Sequence, residues 1–175
     1  MSRYIGNNFN GVLFLLREPN SDGKSVEESD NIWISKVLNF EETKNANKYR
    51  KSFYSLLQSI GLNYASLPDC AFDNIKPNGG EASISVEYKK FSRQDKAKYA
   101  FLLIDEIKPS HIFTCSDIYD AIKQYLIYNH VHYRETNEGI VYRRGKKNKI
   151  DFTYNNKDIQ IFYIYHPCLG WNIME

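Results

Sequence analysis

The chain has 175 residues, 42% of them hydrophobic and 25% charged, and a formal net charge of +2. Ordinary apolar content with so little net charge excludes an intrinsically disordered chain. No apolar run approaches the roughly 20 residues of a membrane span, and the first ten residues lack the basic-then-apolar pattern of a signal peptide. A cytoplasmic protein with no membrane partner is expected. A chain of this size buries roughly 70% of its extended surface without staples, so one domain over 1–175 is expected. Cys70, Cys115 and Cys168 form no Cys-x-x-Cys pair; they read as small buried residues in a reducing compartment rather than zinc ligands.

Gly11–Leu16 is a short apolar run stopped by Arg17-Glu18-Pro19-Asn20, which suits a strand covered on both faces. Residues 45–61 carry Tyr49, Phe53, Leu56, Leu57 and Ile60 at helical spacing, with Gly61 as the stop. Ser66–Ile75 reads as a second strand, followed by the Lys76-Pro-Asn-Gly-Gly80 turn. Residues 92–108 return to helix, with Ser92 as N-cap and Pro109 beyond the end. His111–Cys115 is a third strand, and Ser116 or Asp117 caps the helix that follows. This alternation argues for a parallel sheet. Three later strands are expected at 139–144, 149–154 and 158–165, the first two as a hairpin. The fold expected is a three-layer α/β/α sandwich with a mainly parallel central sheet and a β-hairpin insertion before the last strand.

In open α/β sheets ligands bind beyond the carboxyl ends of the strands. The residues falling there are Arg17-Glu18, Asp73-Asn74, Ser116-Asp117 and His166-Pro167. This order of elements resembles the uracil-DNA glycosylase superfamily. The likeness is carried by an apolar strand ending in Leu16-Arg17-Glu18-Pro19-Asn20 and by a late strand ending in Tyr165-His166-Pro167-Cys168. Between them lie Phe72-Asp73-Asn74-Ile75 and the helix–Pro–strand element Lys108-Pro109-Ser110-His111-Ile112-Phe113-Thr114.

The resemblance implies hydrolysis of an N-glycosidic bond in DNA, with the target base taken out of the stack. Glu18 would orient the water, Asn74 would hydrogen-bond the base edge, and His166 would face the charge developing on the base. Trp33 is the first candidate for the aromatic platform, with Tyr49 and Phe53 as rivals. Superfamily members holding an iron–sulfur cluster use four cysteines; with three scattered ones, no cofactor and no metal site are expected.

Arg143, Arg144, Lys146 and Lys147 around the expected hairpin tip read either as a solvated turn or as contacts to nucleic-acid phosphates, with tyrosines nearby for stacking. Two other functions compete. One is a catalytically inactive member of the superfamily that binds nucleic acid or a protein. The other is a Mg²⁺-dependent nuclease built on Asp69, Glu87 and Lys89, which needs residues 82–91 to form a strand beside Asp69. The pair His130 and His132 has no acid or cysteine at ligand spacing and reads as a polar surface.

Overall fold

The computed structural model describes residues 3–17, 38, 44–75, 86–142, 145–146 and 148–165; residues 44–49, 86–87, 141–142 and 145–146 are described by backbone alone. Its frame is a mixed seven-stranded sheet. The strands are β1 (Tyr4–Ile5), β2 (Val12–Leu16), β3 (Ala71–Asn74), β4 (His111–Cys115), β5 (Tyr133–Thr136), β8 (Lys149–Tyr154) and β9 (Lys157–Ile164), in the order β1-β3-β2-β4-β9-β8-β5. β6 (Val141–Tyr142) and β7 (Gly145–Lys146) pair separately. The helices are α1 (Lys44–Ser59), α2 (Val86–Lys90), α3 (Arg93–Ile107) and α4 (Ser116–Tyr128).

β3, β2, β4 and β9 run parallel at the centre, while β1, β8 and β5 join antiparallel at the flanks. All five residues of β2 are buried, as both-face coverage requires. Val12, Phe14 and Leu16 enter one apolar cluster with Phe53, Leu56 and Leu57 of α1. Leu13 and Leu15 enter the other, with Ala100, Leu103 and Ile104 of α3 and Ile118 and Ile122 of α4. α1 thus packs with one alternating set of β2 residues, and α3 and α4 with the other.

Register supplies the first cluster with an aromatic ladder. Phe72, Phe14, Phe113 and Phe162 are cross-strand partners on β3, β2, β4 and β9. Their rings stack at centroid distances of 5.0, 5.2 and 5.0 Å. Phe53 closes the ladder edge-on, 4.7 Å from Phe14 and 5.4 Å from Phe72.

The helix stops follow local chemistry. α1 ends as Gly61 turns to φ +79°, with Leu62 N–H donating to the Leu57 carbonyl and Gly61 N–H to that of Gln58, the paired closure that glycine permits. α3 opens on a reciprocal box in which the Ser92 hydroxyl accepts from Asp95 N–H and the Asp95 carboxylate accepts from Ser92 N–H. It ends at Lys108, whose φ of 55° precedes Pro109.

Several sequence expectations are corrected. Ser66–Ile75 is not one strand: Tyr64–Asp69 form a 3₁₀ helix and only Ala71–Asn74 extend into the sheet. Pro68 lacks the N–H that a strand ladder would use there. The N-cap of α4 is Cys115, so Ser116 and Asp117 lie in the first turn. Among the described residues, 139–142 do not pair with 149–154 as expected. β8 instead pairs with β9 across Asn155-Asn156, both at positive φ (49° and 60°), the backbone that a two-residue hairpin needs. The other side of β8 is taken by β5, a strand outside the elements expected from the sequence. Polar contacts from Lys123 and Tyr119 of α4 to Glu135 tie β5 down.

Candidate functional site

The connection from β2 runs to β3 on one side, and the connection from β3 returns to β4 on the other side of β2. Adjacent strands whose connections diverge leave a crevice beyond their carboxyl ends, where α/β sheets place ligands. The strand order puts that position between the ends of β2 and β4, with the end of β3 beside it.

One carboxylate organises this crevice. Asp117, in the first turn of α4, accepts from Arg17 Nε at 2.8 Å through Oδ1. Its Oδ2 accepts from Tyr88 Oη at 2.7 Å and from Lys96 Nζ at 2.9 Å. Arg17 Nη2 also reaches Ser116 Oγ at 3.4 Å, and Lys96 Nζ sits 4.5 Å from the Tyr88 ring centroid. Four elements, the end of β2 and helices α2, α3 and α4, are therefore cross-linked at one point. Burial opposes the Asp117 charge, but hydrogen bonds from Lys96, Arg17 and Tyr88 outweigh it and hold its pKa at about 2. Burial first, and the Asp117 charge second, push the Tyr88 phenol well above its ordinary value. The bonds to Asp117 tie the end of β2 to three helices, so the network's evident role is to position these groups.

A second polar cluster stands under the end of β3. Asp73 is buried and accepts from Arg3 Nε at 2.7 Å, from Tyr99 Oη at 3.3 Å and from Asn74 N–H at 2.7 Å. Arg3 Nη1 also pairs with Glu106 at 2.6 Å. Asn74 lies opposite Leu16, the last residue of β2, and Ile75 N–H donates to the Leu16 carbonyl at 2.9 Å. The backbone of Asn74 is thus fixed at the crevice, and the residue is 5% exposed.

The expected site residues fall as follows. Asn74 ends β3 beside the crevice. Glu18, Trp33, Arg143, Arg144, Lys147 and His166 lie outside the described residues. Lys146 is the second residue of β7, described by its backbone alone. Phe53 is corrected: it is fully buried at the edge of the phenylalanine ladder, so no face of its ring is open to a base. Helical spacing marks Phe53 as apolar-facing, and that face is the core.

The nuclease reading also loses its geometry, because Val86–Lys90 is helical where a strand beside Asp69 was required. Among the described residues, no three His, Cys, Asp or Glu groups gather as metal ligands. His130 and His132 are both exposed. Cys70 and Cys115 are buried as expected, and burial pushes the Cys70 thiol up to about 12. Cys168 lies outside the described residues. Arg17 and Asp117 were legible as strand-end residues; their pairing with Tyr88 and Lys96 was not, since nothing in the spacing of four distant residues announces it.

No helix among the described residues is long and apolar enough to cross a membrane. No protein-family model matches the chain, and neither does any curated protein.

Proposed function

We propose that the chain is a DNA glycosylase-like protein, acting on a flipped, deaminated or damaged base by hydrolysis of its N-glycosidic bond. The observation that carries this reading is the common direction of β2, β3 and β9. Glu18 comes two residues after the last residue of β2, Asn74 is the last of β3, and His166 comes two after the last of β9. The sequence thus supplies an acid, an amide and an imidazole at, or just after, the last residues of three strands that run the same way, which supports this reading. A three-layer α/β/α sandwich belongs to the same reading and is supported by the two apolar clusters, while the antiparallel pair β6–β7 supports a hairpin insertion ahead of β9.

The chemistry asks for groups of these kinds. The bond from the sugar C1′ to the base nitrogen breaks through an oxocarbenium-like state, and its electron pair leaves with the base. Glu18 orients a water and accepts its proton as the oxygen bonds to C1′. Asn74 hydrogen-bonds the base edge, while His166 faces the charge accumulating on the departing base. The Asp117 network holds Arg17, the residue before Glu18, against the end of β4.

That same lock favours a second reading, a DNA-binding member of this fold without hydrolysis. Arg17 Nε is tied to Asp117 across the β2–β4 crevice, at the place where a base would enter.

The test is incubation with single- and double-stranded oligonucleotides containing uracil, hypoxanthine or thymine mismatches, without added metal, followed by alkali. The glycosylase reading expects abasic-site cleavage by the wild type that falls at least about 100-fold in Glu18→Ala and in His166→Ala. Binding to DNA with no release of any base would move the weight to the second reading.

A further inference from the structure

Away from the crevice, α3 and α4 leave an open groove of about 520 Å³ between them. Ala97 and Ala121 form part of its lining, so small side chains leave depth where the helices meet. Arg93 and Lys98 reach it from α3, Tyr125 and Tyr128 from α4, and no carboxylate lines it. The nearest acid in the first turn of α3, Asp95, is held by the Ser92 hydroxyl and N–H. The two tyrosines differ. One face of Tyr125 is stacked on Phe101 at 4.0 Å, whereas Tyr128 is 83% exposed. The backbone that carries Tyr128 is fixed, because the end of α4 is closed by Asn129, whose N–H and Nδ2 both donate to the Tyr125 carbonyl.

We propose that this groove binds single-stranded nucleic acid, with a base stacked on Tyr128 and flanking phosphates on Arg93 and Lys98. Two cations without a lining acid complement a polyanion, and an exposed ring on a fixed helix end offers a stacking platform. Single-strand binding sites combine these two features. The openness of the groove decides between sources of the same chemistry. A free nucleotide needs a pocket that encloses most of its surface, whereas a strand enters and leaves an open groove. This inference goes beyond the glycosylase reading and stands even for a chain that releases no base.

The experiment is a backbone amide NMR titration of the full chain with hexathymidylate, thymidine monophosphate and inorganic phosphate. Hexathymidylate is expected to shift and saturate amides within 93–98 and 121–129, with the monophosphate at least about tenfold weaker and phosphate without effect. Tyr128→Ala should weaken binding read at those amides about tenfold, while Tyr128→Phe, which keeps the stacking face, should hold it within about twofold. Neutralising Arg93 and Lys98 together should reduce the log–log salt slope by about 1.4, the value for two phosphate contacts on a single strand. The proposal is overturned if these amides stay unshifted, if the monophosphate binds as tightly as the hexamer, or if Tyr128→Ala changes nothing. Undisturbed amides in β2 and β4 would show that each variant remains folded.

Discussion

The phenylalanine face of the sheet and the carboxyl-edge crevice are built from the same strands, yet they hold together by different physics. On the face, four rings meet partners of their own kind in register, and Phe53 seals them edge-on. The rings themselves carry no charge, and each is at most 5% exposed. At the crevice, a single carboxylate binds two cations and a phenol, and each partner comes from a different part of the chain. The face carries stability through non-directional burial; the edge sets geometry through directional bonds, at a desolvation cost that only complete pairing offsets. A sheet can therefore hold polar residues at its strand ends because its faces do not depend on them.

The sharpest way to test that division is to break the ladder at its centre. Phe14→Ala removes the ring that meets Phe53, Phe72 and Phe113, and should cost about 3–5 kcal/mol in urea unfolding. A loss below about 1 kcal/mol would mean that the ladder does not carry the fold. Next in size, Asp117→Ala leaves Arg17 and Lys96 without their shared carboxylate. Because Asp117 is 28% exposed, solvent softens the penalty to about 2–3 kcal/mol. A variant as stable as the wild type would show that the network contributes nothing beyond position.

Acid should separate the two regions without mutation. Asp117 is held near pKa 2 in the folded chain, below the ordinary value near 4. Its contribution is therefore complete above about pH 4 and is lost as pH falls toward 2, in total about 1–2 kcal/mol after screening. Asp117→Asn should flatten that part of the stability–pH curve, whereas Phe14→Ala should lower the whole curve in parallel. The smallest effect is expected at the exposed start of α3: Ser92→Ala removes its reciprocal cap and should cost about 1 kcal/mol.

Much of the frame was legible because the chain states it locally. The apolar run at 12–16, the glycine after α1, the Ser92–Asp95 spacing and Pro109 each act within a few residues. What escaped depended on distant partners. Tyr133–Thr136 alternates too weakly to announce an edge strand, and it forms one because β8 offers it a free side. Asn155-Asn156 is a dipeptide that suits a turn, but the choice of β9 over 139–144 as partner for β8 rests on register and burial. At the site, strand-end positions could be read from sequence because a strand's direction fixes where its last residues go. The Asp117 network could not, because four residues at 17, 88, 96 and 117 meet only after the sheet is assembled. Phe53 was misassigned for a related reason: an aromatic on an amphipathic helix looks the same whether its face meets solvent, a ligand or the core.

The most direct measurement of the central claim pairs base release with unfolding across Glu18→Ala, Asn74→Ala and His166→Ala. If the carboxyl edge is the chemical edge of a glycosylase-like fold, release from the preferred oligonucleotide falls at least about 100-fold in Glu18→Ala and His166→Ala, and less in Asn74→Ala. The urea midpoints of Glu18→Ala and His166→Ala stay at the wild-type value. Full release by either of those two variants, or a loss of release that merely follows a lowered midpoint, would contradict it.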